Sequence, residues 1–248
     1  MSARWEQLNV DNSPMDIYLD EPQGEGPHPA VVVIMHGPGL DTFTQTTASR
    51  LAEQGYVVAA PNMFHHMSDY DARKPAEEQR RPQGAPSRVA ELNDPHVVAD
   101  VNATVAYLRG MPQVGSSPIG ITGFCMGGRV SFLMAAVSGE FSAAAPFYGG
   151  NTMALWGDGK ITPFDQFAQV SCPILAFFGE DDANPSPDDM QKLDAELSSR
   201  GKAHEFHSYP GAGHSFMSFD NPNSYREEAA KDAWDRLTAF FDAHLKAS

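Results

Sequence analysis

Short continuous runs of apolar residues alternate along the chain with longer segments in which apolar residues recur every three or four positions. The runs are typical of strands covered on both faces, and the longer segments of amphipathic helices. Strands are predicted at 30–35, which is a continuous apolar run, and at 56–60, 118–122, 143–148, 174–178 and 203–209. Ahead of them, 5–10 and 15–19 predict an antiparallel hairpin around Asp11-Asn12-Ser13-Pro14.

Helix signals occupy the stretches between these runs. The spacing predicts helices over 43–54, from Asp94-Pro95 to Gly110, over 126–137, from Ser186 to Gly201, and from Ser224 through Leu245. We expect Asp94 to cap the second of these, and capping boxes at Ser186 and Ser224 to open the last two. Strands alternating with helices predict an α/β fold with a mostly parallel central sheet flanked by helices. In such sheets ligands bind beyond the carboxyl ends of the strands, so catalytic residues are expected there.

Length and composition narrow the class of protein. The 248 residues suit one domain over 1–248, and 17 basic against 32 acidic residues give a net charge of −15. That charge argues against nucleic acid and against anionic membrane surfaces as partners. No apolar run approaches the roughly 20 residues of a membrane helix, and the first residues carry no signal segment. Two cysteines make no disulfide framework, so we predict a cytoplasmic protein.

One strand ends in a glycine-rich turn with a cysteine at its centre. Gly123-Phe124-Cys125-Met126-Gly127-Gly128 follows strand 118–122 and precedes a predicted helix. It matches the G-x-S-x-G nucleophile elbow, with Cys125 in the serine position. Side chains at 123 or 127 would clash in so sharp a turn, and the helix N-terminus favours a thiolate. The alternative is a buried structural cysteine, but glycines at 123, 127 and 128 favour a nucleophile.

Such an elbow predicts an acid and then a histidine later in the chain. Strand 174–178 ends in Gly179-Glu180-Asp181-Asp182, and strand 203–209 is followed by Gly211-Ala212-Gly213-His214-Ser215-Phe216. We therefore predict the triad Cys125, Asp182 and His214, with the neighbouring Asp181 as an alternative acid. The expected oxyanion donors are the backbone N–H groups of Met126 and of Gly37, because Pro38 has none.

At these motifs the chain resembles the dienelactone hydrolase family of α/β-hydrolases. The resemblance covers almost the whole sequence and implies a cysteine hydrolase that opens lactones or cleaves small esters, with no metal and no cofactor. In that family the acid is the fourth residue of a G-x-x-D pattern, which selects Asp182 over Asp181.

Two positions depart from the family pattern. Where the best-known members have a glutamate after the first parallel strand, this sequence has His36, which either contacts Cys125 and substrate or braces its loop; we favour bracing. Where the family has a carboxylate-binding arginine, four residues beyond the catalytic histidine, this sequence has Ser218. A hydroxyl replaces a bidentate arginine poorly, so we do not expect dienelactone itself to be the preferred substrate.

The long loop 61–93 is expected to roof the active-site cleft. It is rich in arginines, of which Arg81 or Arg80 is a candidate to bind a substrate anion; the alternative is a solvated charged loop. Tyr148 and Phe216 are candidate apolar walls of the pocket, or else core. His65 and His66 with Asp69 and Asp71 suggest a metal, but nothing local fixes their spacing, so we predict no metal site.

The sequence therefore predicts a cysteine-dependent hydrolase of lactones or small carboxylic esters that acts through a thioester intermediate. Its partner is a small-molecule substrate; the sequence does not fix its oligomeric state. Two other classes stay open. One is an acyltransferase with the same acyl-enzyme, and the other is a non-catalytic binding or thiol-sensing protein of this fold.

Overall fold

The structure, a computed structural model, describes residues 2–246, with 76 and 77 described by their backbone alone. Met1, Ala247 and Ser248, at the ends of the predicted domain 1–248, lie outside the described residues. The chain divides into two compact units. The first comprises the residues up to Ser117 together with Leu155–Lys160, and the second Pro118–Ala154 with the residues from Ile161 on. That 1–248 is a single domain stays a prediction.

The first unit contains four strands and two α-helices. They are β1 (Arg4–Val10), β2 (Ser13–Asp20), β3 (Ala30–Ile34), α1 (Thr42–Glu53), β4 (Val57–Pro61) and α2 (Asp94–Gly110). The strand order is β1-β2-β4-β3, in which β3 and β4 are parallel and the other pairs antiparallel. Every residue of β3 and β4 is buried, as their continuous apolar sequences predict. Both helices pack against β4.

The second unit contains four parallel strands and three α-helices. They are β5 (Ile119–Phe124), α3 (Met126–Val137), β6 (Phe141–Phe147), β7 (Ile174–Gly179), α4 (Pro187–Ser199), β8 (His204–Tyr209) and α5 (Glu227–Phe241). The strand order β5-β6-β7-β8 follows the chain. Helix α3 packs on β5 and β6, and α4 and α5 pack on β7. The carboxyl ends of these strands therefore lie along one edge, where β5, β7 and β8 deliver the segments with candidate chemistry.

Of the three predicted helix caps, one is confirmed and two are wrong, although α2 does begin at Asp94 as predicted. Ser186 caps α4 in a complete capping box with Asp189. Asp94 does not cap α2: Asn93 holds the cap position, and the Asp94 carboxylate instead accepts a hydrogen bond from the Trp156 N–H. Ser224 does not cap α5, because 221–225 form turns stabilised by Asn221 and the helix begins only at Glu227.

The segment 61–93 has little regular structure. Two short 3₁₀-helices, Ala76–Gln79 and Arg88–Glu91, are its elements. Across residues 2–246, no helix has both the length and the apolar character that crossing a bilayer requires.

Candidate active site

Cys125 lies between β5 and α3 in a backbone conformation that few non-glycine residues adopt. Its φ of 57° and ψ of −116° turn the chain sharply from strand to helix. A Cβ on Gly123 would overlap the Gly127 carbonyl, so only glycine allows the two sides of the turn to approach. The Cys125 N–H donates to the Phe147 carbonyl at 3.1 Å, which ties the turn to the end of β6. The strained conformation is therefore held by its surroundings and leaves the thiol half-buried.

His214 and Asp182 form the second part of the site. His214 follows β8, and its Nδ1 lies 2.8 Å from Oδ2 of Asp182, which follows β7. The other carboxylate oxygen, Oδ1, accepts the Asn184 N–H at 2.9 Å, so the acid is fixed on both sides. Asp182 is buried, whereas Asp181 is exposed and its N–H binds the Ala212 carbonyl. Of the two candidate acids, the structure pairs Asp182 with the histidine.

The electrostatics of His214 link it to both partners. Burial alone would lower its pKa, but hydrogen bonds to Asp182 and to Cys125, with the negative charges of both groups, raise the pKa of His214 to about 10. At neutral pH the ring is therefore protonated beside the sulfur. A cysteine next to an imidazolium is an activated nucleophile.

Tyr148, at the end of β6, borders the same site, and the sequence reasoning named it only as a wall residue. Its ring contacts His214 edge-on at 5.2 Å and Phe216 at 5.3 Å, and its φ is 36°. Burial, followed by the charge of Cys125, raises the pKa of Tyr148 well above its ordinary value. The Tyr148 hydroxyl is buried, and so is that of Ser218. The sequence feature that could have identified Tyr148 is its position directly after β6, the strand next to β5, which leads into the nucleophile elbow.

The remaining predicted site residues have well-defined surroundings. Met126 is the first residue of α3, so its N–H has no carbonyl partner within the helix. Gly37, in the first unit, follows β3, where the N–H of Gly39 binds the His36 carbonyl. Phe216 is fully buried against Tyr148. Their roles as oxyanion donors and pocket wall stay predictions.

His36 and Arg81 have partners within the first unit. The Nε2 of His36 lies 2.7 Å from Asp41, which caps α1. Arg81 binds Asp69 at 2.8 Å and also Glu91. These contacts brace the two loops; substrate binding by either residue stays a prediction.

One protein family matches nearly the whole chain. Residues 15–245 match the model of the "Dienelactone hydrolase family". The chain belongs to the dienelactone hydrolase family. Membership makes it a carboxylic ester hydrolase, which confirms the predicted class of enzyme.

Relatives of this dienelactone hydrolase family member match it over similar lengths. A "Putative carboxymethylenebutenolidase" of Synechocystis sp. is 31% identical over 234 residues, 92% of this chain and 92% of its own. A "Probable 2-oxo-3-(5-oxofuran-2-ylidene)propanoate lactonase" of Bradyrhizobium sp. is 29% identical over 244 residues, 97% of this chain and 94% of its own.

A solved structure agrees with these relatives. The crystal structure of a "Putative Dienelactone Hydrolase" from Klebsiella pneumoniae superposes with a TM-score of 0.83 at 27% identity. The match covers 97% of this chain and 98% of the other. It confirms the predicted α/β-hydrolase fold for this family member.

Proposed function

We propose that this protein hydrolyses lactones or small carboxylic esters through a thioester on Cys125. The observation that carries the proposal is the series Asp182, His214 and Cys125. The His214 Nδ1 lies 2.8 Å from Asp182, the charge of Cys125 helps to raise the pKa of His214, and the cysteine occupies a strained turn at a helix N-terminus. The series supplies a nucleophile, a proton donor beside it, and a carboxylate that orients the donor.

The chemistry has two halves. The Cys125 thiolate attacks the carbonyl carbon, and the N–H group of Met126 stabilises the resulting oxyanion. As the C–O bond breaks, His214 gives its proton to the leaving alkoxide, and a thioester remains. In a lactone this alkoxide stays part of the same molecule. Neutral His214 then takes a proton from water, hydroxide attacks the thioester carbonyl, and the thiolate leaves as the acid is released.

The substrate class follows from two further observations. The relatives are named for lactones, which are activated esters suited to attack by a thiol. Ser218, where the family resemblance expects an arginine, is buried and offers only a hydroxyl. We therefore place lactones or small esters without an essential carboxylate ahead of dienelactone itself.

The test is the mass of the protein after brief exposure to p-nitrophenyl acetate. The chain offers a matched control, because Cys172 is the other free cysteine, and burial raises the pKa of its thiol to about 12. Wild type and Cys172→Ala should both gain one acetyl group and lose it with release of acetate. Cys125→Ala should gain none and should release no nitrophenol, while its circular dichroism spectrum is unchanged.

Two outcomes would contradict the proposal. Equal turnover in Cys125→Ala would exclude the cysteine route. A lack of both adduct and nitrophenol release in every variant would contradict general esterase chemistry and leave either a narrow substrate requirement or a non-catalytic binding protein. Adding an alcohol acceptor separates hydrolysis from acyl transfer: hydrolysis yields acetate throughout, whereas a transferase yields the acceptor's ester. A cytoplasmic location belongs to the same proposal, supported by two cysteines that are both free.

A further inference from the structure

Three histidines and one aspartate cluster in the first unit, and the triad includes none of them. His65 and His66 follow β4, whereas His96 and Asp100 lie one turn apart on α2. Residues separated by four positions on a helix share a face, so α2 presents both to the segment after β4. The sequence suggests Asp69 and Asp71 as the acids beside these histidines, but Asp69 pairs with Arg81 and Arg88. The acid that completes the cluster comes from a helix far along the chain.

The donor atoms of this cluster are close together. One ring nitrogen of His65, one of His66 and one carboxylate oxygen of Asp100 all lie within 4.8 Å of one another. The rings of His65 and His66 are 3.9 Å apart between centroids, and His96 lies 4.7 Å beyond His66. Metal–nitrogen bonds of about 2.0–2.1 Å place tetrahedral ligands about 3.3 Å apart, so binding an ion requires the rings to turn their nitrogens toward a common point.

One ring nitrogen of His65 is buried and has no hydrogen-bond partner among the described residues. The Nε2 of His65 lies 2.9 Å from Oδ1 of Asp100, and both side chains are fully buried, at 0% and 1% exposure. A carboxylate only accepts, so Nε2 carries the hydrogen and the lone pair of the neutral ring is on Nδ1. This Nδ1 is buried and has no partner among the described residues. A buried acceptor left unpaired is unfavourable, so the site is incomplete as a purely structural pair.

We propose that His65, His66 and His96 bind one divalent transition-metal ion of the Zn²⁺ type, with Asp100 orienting His65. Imidazole nitrogens suit Zn²⁺, Ni²⁺ and Cu²⁺, whereas Mg²⁺ and Ca²⁺ prefer oxygen. A metal-binding histidine usually donates its other N–H to a carboxylate, which is the contact that His65 makes with Asp100. The ion would satisfy Nδ1 of His65 and join the segment after β4 to α2. Its role is therefore structural.

The test is a titration with Co²⁺, which takes the ligands of Zn²⁺ and absorbs visible light when bound. The EDTA-treated, untagged protein is used in a Cys125→Ala background, because a thiolate beside His214 would also bind the ion. We expect one Co²⁺ per chain, displaced by one Zn²⁺. His66→Gln and His96→Gln should each weaken binding at least about tenfold, and Asp100→Asn about 10- to 100-fold.

The controls keep the result decisive. His66 and His96 are exposed, so their substitution should not unfold the chain. His244→Gln, which removes a histidine at the far end of the chain, should leave binding unchanged. At the same concentration, Zn²⁺ should raise Tm less in His66→Gln than in the parent. Absence of a Co²⁺ spectrum at micromolar concentrations, or equal binding in His66→Gln and His96→Gln, would overturn the proposal, and a buried water would then be the partner of Nδ1.

Discussion

Two adjacent aspartates after β7 show how much one position matters at the scale of a residue. Asp182 is buried and bonded to His214, whereas Asp181 is exposed one position earlier. The residues alone left both open, because both follow the same strand, and only the family pattern favoured Asp182. Chain direction at the end of the turn decides which carboxylate points at the histidine, and that direction is a property of the folded loop.

The pair provides a matched test of the acid. Asp182→Asn removes the charge that helps to raise the pKa of His214, so we expect kcat/KM for p-nitrophenyl acetate to fall about 100-fold. Asp181→Asn removes an equal charge from the same turn and should change kcat/KM less than about twofold. Steady-state kinetics of both variants measures this. Similar losses in both would mean that net charge in the turn matters and not the contact with His214.

The Asp182→Asn variant should also change how activity and stability depend on pH. The pKa of His214 is raised from 6.5 to about 10, so its contribution to the free energy of unfolding is fully present below pH 6.5 and is lost as pH rises through about 10. The alkaline limb of kcat/KM should follow the loss of the His214 proton. In Asp182→Asn that limb should move to lower pH, and the stability should decline less steeply between these values. If the alkaline limb of kcat/KM did not move in Asp182→Asn, that limb would report the titration of a group other than His214.

At the scale of an element, the strand–turn–helix unit of β5 and α3 is the part whose geometry could be predicted in most detail. The glycine spacing predicted the sharp turn, and the structure has Cys125 at a φ of 57° within it. Helix starts were less predictable, because a capping motif is short and competes with turn formation. Ser186 caps α4, whereas Ser224 lies in turns that Asn221 stabilises.

The geometry of the elbow predicts that alanine substitution affects stability very differently at two glycines, Gly123 and Gly139. In Gly123→Ala the new methyl group would overlap the Gly127 carbonyl, which is backbone and cannot rotate away. We expect a loss of about 1–3 kcal/mol in the free energy of unfolding, and a loss of activity as Cys125 shifts. Gly139→Ala, between α3 and β6, meets nothing within 4 Å and should change stability by less than about 0.5 kcal/mol. Urea denaturation compares the two; equal stabilities would show that the turn relaxes freely.

The two serines give a second matched pair. Ser186 Oγ accepts the Asp189 N–H at 3.2 Å, so Ser186→Ala should destabilise the protein by about 1 kcal/mol. Ser224 caps no helix, and Ser224→Ala should cost less than about 0.5 kcal/mol. Thermal denaturation of both variants measures the difference. A larger loss of stability in Ser224→Ala than in Ser186→Ala would mean that the turn before α5 stabilises the protein more than the cap of α4 does.

At the scale of the whole molecule, the features that could be predicted are those set by local sequence. Continuous apolar runs predicted the buried strands, and strand ends predicted where Cys125, Asp182 and His214 would lie. Contacts between distant segments could not be predicted. The pairing of Arg81 with Asp69 and Glu91 depends on how the loop 61–93 folds on itself, and the pairing of His65 with Asp100 depends on how this loop meets α2. Periodicity encodes neither.

The net charge of −15 leads to a prediction about substrates. A protein of this charge repels an anion at long range, and Ser218 supplies no positive charge to offset the repulsion for a carboxylate-bearing lactone. Raising ionic strength from 0.01 to 0.15 M shortens the Debye length from about 30 to about 8 Å. We therefore expect kcat/KM for a lactone carboxylate to rise, by up to about tenfold, while that for neutral p-nitrophenyl acetate stays constant. A fall for the carboxylate alone would instead reveal a cationic group at the site, and Arg81→Gln would then test whether the loop 61–93 supplies it.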